Sequence, residues 1–191
     1  MEEKHKQTRN QLDTLIKVVL YGPESTGKTT LAKHLAAHYK TLWVPEFMRE
    51  YLQEKWDFKK KLVEKEDLIP IAKGQLKFEN KTAQEVDNLL ICDTNLLELK
   101  VYSEYYYNGF CPPEIKNEAT KHNYSIYLLT YIDTPWEADD LRDRPNNREE
   151  MFYIFENELI KNEFPYQILI GNEKERFEKA VKIIDTLLKK K

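Results

Sequence analysis

Apolar residues fall into short runs, separated by longer stretches in which apolar and polar positions alternate with a helical period. Five runs are typical of buried strands of a parallel sheet, and they lie at residues 17–21, 41–44, 89–92, 124–129 and 167–170. Segments with helical periodicity separate these runs, at residues 28–39, 46–55, about 64–86, 96–107, 113–122, 149–162 and 174–188. This alternation predicts an α/β fold, with helices on both faces of a parallel sheet of about five strands.

The bulk properties of the chain predict one globular domain. The chain has 191 residues, which is enough for one sizeable core. Residues 1–14 are polar and aperiodic, so we expect a flexible leader there and a single domain over residues 15–191. The formal net charge of −3 leaves no basic excess, and we expect no nucleic-acid partner and no membrane span. Two cysteines without metal-ligand spacing indicate reduced thiols in a cytoplasmic protein, while the oligomeric state stays open.

The strongest motif lies between the first predicted strand and the first predicted helix. Residues 22–29 read Gly-Pro-Glu-Ser-Thr-Gly-Lys-Thr, a complete G-x-x-x-x-G-K-[ST] loop that binds the phosphates of a nucleoside triphosphate. Its glycines let backbone amides face the phosphates, its lysine reaches the β- and γ-phosphates, and its threonine hydroxyl suits Mg²⁺. The predicted nucleotide-binding residues are Gly22, Pro23, Glu24, Ser25, Thr26, Gly27, Lys28, Thr29 and Thr30.

Asp93 ends the third predicted strand and is a candidate metal ligand. Four apolar residues, 89–92, precede it, a pattern typical of a carboxylate that holds Mg²⁺ beside the Thr29 hydroxyl. The alternative is a helix N-cap, because Asp or Thr after a strand often caps the helix that follows. The phosphate loop favours the metal role for Asp93, and Thr94 remains a candidate cap.

A second acidic residue, Glu46, follows the second predicted strand. Ligands of such sheets bind beyond the carboxyl ends of the strands, so we expect Glu46 to lie opposite the phosphate loop. In a kinase, a carboxylate at that place orients and deprotonates the acceptor hydroxyl. The alternative is that Glu46 and Glu50 only favour a helix N-terminus and that Arg49 is solvated.

Arginines cluster after the fourth predicted strand. Arg142, Arg144 and Arg148 lie within seven residues, and a guanidinium group binds phosphate oxygens through two parallel hydrogen bonds. We interpret this segment as a lid that closes over the nucleotide and excludes water, with a solvated surface loop as the alternative.

Tyrosines are concentrated in the fourth helical segment. Tyr102, Tyr105 and Tyr106 share one helical face, which favours packing against the core. A platform on which a nucleobase stacks remains an open alternative.

Four motifs in this chain carry a family resemblance. They read Gly-Pro-Glu-Ser-Thr-Gly-Lys-Thr-Thr, Pro-Glu-Phe-Met-Arg-Glu-Tyr, Ile-Cys-Asp-Thr-Asn and Trp-Glu-Ala-Asp-Asp-Leu-Arg-Asp-Arg-Pro, and they span about residues 16–188. In this order they resemble the kinase domain of NadR-type proteins, the ribosylnicotinamide kinases. The resemblance implies a P-loop NTPase sandwich with an arginine-containing lid. It also implies transfer of phosphate from ATP, with Mg²⁺, to the 5′-hydroxyl of nicotinamide riboside, here by a stand-alone kinase.

The resemblance also implies roles for individual residues. ATP phosphates would bind at residues 22–30, and the catalytic residues would be Lys28, Glu46, Asp93, Arg142 and Arg144. Acceptor contacts would come from Glu46, Arg49 and Glu50, and metal contacts from Thr29 and Asp93. Two positions depart from the family: Asn95 replaces a second Asp, and Pro45 replaces a stacking aromatic. A kinase for another nucleoside or small metabolite therefore stays open, as does a nucleotide-binding switch that gates a partner.

Overall fold

The computed structural model of the chain describes residues 15–121, 124–138, 141 and 146–190. The strands are β1 (Ile16–Tyr21), β2 (Trp43–Val44), β3 (Leu89–Asp93), β4 (Ile126–Thr130) and β5 (Tyr166–Leu169). The helices are α1 (Lys28–Tyr39), α2 (Phe47–Lys59), α3 (Leu68–Ala83), α4 (Leu96–Tyr106), α5 (Pro113–Ala119), α6 (Arg148–Lys161) and α7 (Glu173–Lys189), with a 3-10 turn at Lys65–Asp67. The predicted leader over residues 1–14 and the lid residues Arg142 and Arg144 lie outside the described residues.

The strands form one parallel sheet in the order β2-β3-β1-β4-β5, which confirms the predicted α/β fold class. β1 lies at its centre, paired with β3 on one side and β4 on the other. Leu20 is in register with both Asp93 and Leu128, so the carboxyl ends of the three central strands lie at the same level. The chain connects strands in opposite directions on the two sides of β1, and such a switch point opens a crevice at this edge.

Apolar layers cover both faces of the sheet. Alternate side chains of β1 enter different layers: Val19 and Tyr21 pack with α3, α4 and α6, while Val18 and Leu20 pack with α1 and α7. Every residue of β3 and β4 is buried, as expected for strands covered on two faces. Within the described ranges, no helix combines the length and the apolar character needed to cross a bilayer.

The segment predicted as one helix over about residues 64–86 is divided. A 3-10 turn comes first, closed by a hydrogen bond from the Glu64 backbone N–H to the Asp67 carboxylate at 2.7 Å. Helix α3 then begins at Leu68, and Pro70 lies in its first turn, where the missing N–H costs no helical hydrogen bond. The preceding helix is longer than predicted, because α2 continues until Lys60 adopts a left-handed backbone with φ 51°.

A buried arginine on α7 joins the loops at the carboxyl edge of the sheet. The Arg176 guanidinium donates to the carbonyl oxygens of Gly171 at 2.8 Å and Thr26 at 2.6 Å. It also donates to the Tyr131 carbonyl at 2.8 Å and pairs with the Asp133 carboxylate. One side chain therefore ties the phosphate loop to the segments that follow β4 and β5.

Replacing Arg176 by Met is expected to lower the free energy of unfolding by about 3–5 kcal/mol, because a carboxylate and three carbonyl oxygens lose their donor. Urea unfolding measures this change. The control is Lys174→Met on the same helix, whose side chain is 83% exposed, and we expect a change there within about 0.5 kcal/mol. Equal stabilities of the two variants would contradict the stabilising role of the Arg176 hydrogen bonds.

Candidate active site

A cavity of about 540 Å³ opens at the carboxyl edge of the sheet. Residues 24–30 of the phosphate loop and three charged side chains, Glu46, Arg49 and Glu98, form one part of its wall. Aliphatic and aromatic side chains form another part, among them Met48, Leu52, Leu62, Val63, Leu99, Tyr102 and Tyr106. A wall with a few convergent charged groups and a larger apolar surface is typical of small-molecule sites.

Both glycines of the phosphate-loop motif occupy positions that disfavour any side chain. Gly22 has φ 136°, and a Cβ there would lie 2.9 Å from the Thr130 hydroxyl oxygen on the neighbouring strand. Gly27 has φ 79° and forms the N-cap of α1. The loop is therefore shaped by backbone conformation, and α1 directs its positive N-terminal end at the cavity.

Lys28 lies beneath this loop and is 8% exposed. Its Nζ donates to the carbonyl oxygens of Gly22 at 2.6 Å and Pro23 at 2.9 Å. The same Nζ lies 3.4 Å from Oε1 of Glu98, a residue that sequence reasoning missed. A charged residue between Leu97 and Leu99, in the helix that follows Asp93, is the signal in the sequence that marks it.

Three carboxyl groups share the field of Lys28, and their environment disfavours ionisation. Burial is the main cause that raises the pKa of Glu46 to about 7; repulsion from Asp93 contributes to this rise, and Lys28 and Arg49 oppose it. Burial also raises the pKa of Glu98 to about 8, with repulsion from Glu46 and Asp93 adding to the effect and Lys28 opposing it. The pKa of Asp93 is raised by burial as well. These groups therefore retain protons to higher pH than isolated carboxyl groups do.

Asp93 and Thr29 present oxygen ligands that fit Mg²⁺. The Thr29 hydroxyl lies close enough to Asp93 to oppose the rise in the pKa of its carboxyl group, and the buried Oδ1 of Asp93 has no hydrogen-bond partner among the residues described. One carboxylate and one hydroxyl suffice, because Mg²⁺ keeps several waters and takes further oxygens from phosphates. No group of three or more His, Cys, Asp or Glu in the described chain is arranged to hold a metal by itself, at this site or at another. The donor set fits an ion shared with a nucleotide.

Asn95 caps helix α4, so Thr94 does not have the capping role considered for it. The Asn95 side-chain oxygen accepts hydrogen bonds from the N–H groups of Leu97 at 3.1 Å and Glu98 at 3.4 Å. Thr94 instead has a left-handed backbone with φ 76°, and its buried hydroxyl oxygen has no partner within the described ranges. The N-cap of α4 is therefore Asn95, one residue after the candidate Thr94. Capping gives a structural role to position 95, where the motif comparison expected an Asp.

Glu46 is half-buried and lies directly before α2. Gln75 on α3 holds the backbone on both sides of it: its Oε1 accepts from Phe47 N at 2.8 Å, and its Nε2 donates to Pro45 O at 3.3 Å. Arg49, one helical turn further on, also lines the cavity, whereas Glu50 is exposed and is absent from the cavity wall. The structure therefore brings Glu46 and Arg49 to the site and leaves Glu50 outside it.

Arg148 connects the start of α6 to the phosphate loop. Its guanidinium donates to the carbonyl oxygens of Thr134 at 2.8 Å and Ser25 at 3.0 Å, and lies 5.8 Å from the centre of the Trp136 ring. Among the three clustered arginines, this one is described, and it joins the first turn of α6 to the phosphate loop.

Two of the three tyrosines on α4 face the cavity. Tyr102 and Tyr106 are stacked on each other with ring centres 6.1 Å apart, and both line the cavity wall. Tyr102 also packs edge-on against Phe155, so it serves the core as predicted. The Tyr105 hydroxyl lies 3.4 Å from the Glu150 carboxylate. Core packing and cavity lining thus coincide on one helical face.

Comparisons with known proteins agree with this geometry. A family model described as an AAA domain matches residues 17–176. The trifunctional NAD biosynthesis/regulator protein NadR of Salmonella typhimurium is 24% identical over 144 residues, which cover 75% of this chain and 34% of that protein. The chain spans about a third of the length of the curated relatives it matches. The resemblance to NadR noted in the motifs is confirmed as a similarity.

Solved structures share the fold. NadR in complex with NR gives a TM-score of 0.79 at 19% identity, covering 97% of this chain and 56% of that chain. NadR in complex with NAD and AMP-PNP gives 0.75 at 19% identity, covering 97% and 54%. A deoxyadenosine kinase from M. mycoides with bound dATP gives 0.56 at 14% identity, covering 89% and 99%. These similarities confirm the predicted P-loop sandwich.

The raised pKa of Glu46 predicts a pH-dependent gain in stability for Glu46→Gln. The folded protein binds a proton at Glu46 up to about pH 7, whereas the unfolded chain loses it near the ordinary value of 4.5. The free energy of unfolding of the wild type therefore falls as pH rises between these values, and the glutamine variant lacks this loss.

We expect the Tm of Glu46→Gln, relative to wild type, to rise by a few degrees between pH 4.5 and pH 7 and to stay constant above. Glu50→Gln, on the exposed side of the same helix, is the control and should show no such trend. A Tm difference that does not change with pH would contradict the raised pKa. Scanning calorimetry across this pH range measures the Tm of each protein.

Proposed function

We propose that this chain, which belongs to the AAA domain family, is a kinase that transfers a phosphoryl group from ATP to a hydroxyl group of a nucleoside. The observation that carries the proposal is the presence of the phosphate loop, Lys28 and Glu46 in the wall of one cavity with a large apolar surface. A hydrolase or a switch needs no such acceptor space beside the phosphate loop. We place this activity in the domain predicted over residues 15–191.

The acceptor that we propose is nicotinamide riboside, with the 5′-hydroxyl as the reacting group and the mononucleotide as product. The NadR-like motifs support this choice, as does the likeness in fold to NadR solved with NR. Stacked Tyr102 and Tyr106 offer an aromatic surface in the cavity, which supports a flat ring as part of the acceptor.

Several residues at the phosphate end of the cavity then have defined tasks. The loop amides of residues 22–30 and the Lys28 ammonium bind the β- and γ-phosphate oxygens. Glu46 accepts the proton of the acceptor hydroxyl while the oxygen of that hydroxyl forms a bond to the γ-phosphorus. The bond between the γ-phosphorus and the β,γ-bridging oxygen breaks at the same time, which releases ADP. Its pKa of about 7 suits a base that acts near neutral pH. Arg49 lies within reach of the acceptor or the transferred group.

Thr29 and Asp93 are the residues that would hold Mg²⁺. When bound, this ion neutralises phosphate charge in kinases of this type. We propose that Arg142 and Arg144, which lie outside the described residues, bind phosphate oxygens from the lid. Arg148 supports that lid at its base through Ser25 and Thr134.

Turnover with a panel of acceptors tests the proposal. Purified protein with Mg²⁺ and ATP is given nicotinamide riboside, other nucleosides or no acceptor, and ADP and the phosphorylated product are measured. Product from nicotinamide riboside is the expected result. Product from a different nucleoside would retain the kinase and replace the acceptor. ATP hydrolysis independent of every acceptor would instead favour the nucleotide-binding switch.

Lys28→Ala and Asp93→Ala are each expected to lower turnover at least about 10²-fold, because each removes charge stabilisation next to the transferred phosphoryl group. The control is Lys40→Ala, an exposed residue at the opposite end of the helix that begins at Lys28, which should retain wild-type turnover. Wild-type rates in Lys28→Ala would rule out the proposed phosphate site.

Glu46→Gln is expected to lower turnover about 10²–10⁴-fold while leaving ATP affinity unchanged, because the amide cannot accept the proton. In the wild type, turnover should fall as pH drops below about 7, where Glu46 takes up its proton. The residual rate of the variant should lack this dependence. Steady-state kinetics between pH 5.5 and pH 8.5 measure both, with Glu50→Gln as the matched control; an unimpaired Glu46→Gln variant would remove the base role.

A further inference from the structure

Glu98 is a buried carboxyl group to which the mechanism above assigns no task. Its residue is 2% exposed, and it contributes to the cavity wall. Its Oε1 lies 3.4 Å from Lys28 Nζ, and its Oε2 has no hydrogen-bond partner in the part of the chain that the structure describes. A buried carboxylate oxygen without a partner is costly to maintain, and it is expected where a ligand supplies the missing donor.

Lys28 is the cation that the structure places beside this carboxylate. The same ammonium group contacts the carbonyl oxygens of Gly22 and Pro23, so all of its contacts point beneath the phosphate loop. Binding of phosphates requires this ammonium group to turn towards them. Glu98 would then keep a buried carboxyl group without a polar partner, which penalises nucleotide binding unless another group takes the place of Lys28.

The position of Glu98 on α4 determines where the replacement comes from. Tyr102 follows one helical turn later and Ser103 is next to it, and both line the cavity. Leu99 extends the same wall towards its apolar part. A molecule that lies against this helix beside the phosphate loop can therefore place a polar group next to Glu98.

We propose that Glu98 binds the acceptor substrate by accepting a hydrogen bond from a hydroxyl or other donor group on it, and thereby couples acceptor binding to ATP binding. This inference rests on the proposed kinase function. It specifies an acceptor with two donor groups: the reacting hydroxyl, which Glu46 contacts, and a second group, which Glu98 contacts. Nucleosides, with several ribose hydroxyls, belong to this class.

The coupling has a measurable consequence at equilibrium. An acceptor that replaces Lys28 at Glu98 releases the lysine for phosphates, so each substrate should tighten the binding of the other by the same factor. Replacing the Glu98 carboxyl group by an amide should weaken its contact with Lys28 and release the lysine without any acceptor. The nucleotide should then bind more tightly, and the acceptor should no longer influence it.

Calorimetric titration with Mg²⁺ and AMP-PNP tests this without turnover. In the absence of acceptor, Glu98→Gln is expected to bind AMP-PNP at least about fivefold more tightly than wild type. Saturating nicotinamide riboside should tighten AMP-PNP binding to the wild type at least about fivefold and should have little effect on the variant. Glu104→Gln is the control: it lies on the same helix, pairs with Lys100 and Lys116, and should behave as wild type.

The outcomes separate this inference from the proposed function. Two results would overturn the role of Glu98: AMP-PNP binding by folded Glu98→Gln that is unchanged or weaker, or an equal gain in AMP-PNP affinity in Glu104→Gln. If the wild type still phosphorylates nucleosides, the proposed kinase function stands in either case. Failure of the wild type to bind AMP-PNP would overturn the proposed function itself. Circular dichroism confirms the fold of each variant. If Glu98→Gln does not fold, absence of acceptor coupling in the wild type is the result that overturns the inference.

Discussion

Parallel pairing of β1 with both β3 and β4 is the constraint on which the rest of the structure depends. It brings the ends of three strands to one level, so the phosphate loop, Asp93 and Thr130 meet although they are distant in the chain. The close approach of Thr130 requires glycine at position 22, and Arg176 then holds the loops of this edge together. The cavity exists because these pairings align the loops around it.

The electrostatic cost of burying ionisable groups is concentrated at the carboxyl edge of the sheet. Glu46, Asp93 and Glu98 lie in the field of one buried lysine, and burial raises the pKa of each. Such an arrangement is poor for stability and useful for a site that binds phosphates, a metal ion and an acceptor, because ligands supply the missing partners. The apolar layers on both faces of the sheet and the Arg176 hydrogen bonds provide the stability that lets the site keep these groups.

Local rules predicted most of the elements, and they were wrong where contacts from elsewhere decide. The helix predicted over about residues 64–86 is interrupted because the Asp67 carboxylate binds both the Glu64 backbone and the Lys55 ammonium group of α2, which favours a tight turn. Glu50, for which the family resemblance implied an acceptor contact, is exposed because α2 turns it away from the face that carries Arg49. Periodicity finds a helix, but the side of it that faces a site depends on the neighbour against which it packs.

The sequence by itself determined the phosphate loop, the order of strands and helices, and the acidic residues at the ends of β2 and β3, because backbone preferences and apolar periodicity act over a few residues. Tertiary structure alone decided that Glu98 meets Lys28 and that Gln75 holds the backbone around Glu46. These contacts depend on the pairing of distant strands and on the helix faces this pairing turns inward. Their energies come from burial and charge proximity, which no local pattern encodes.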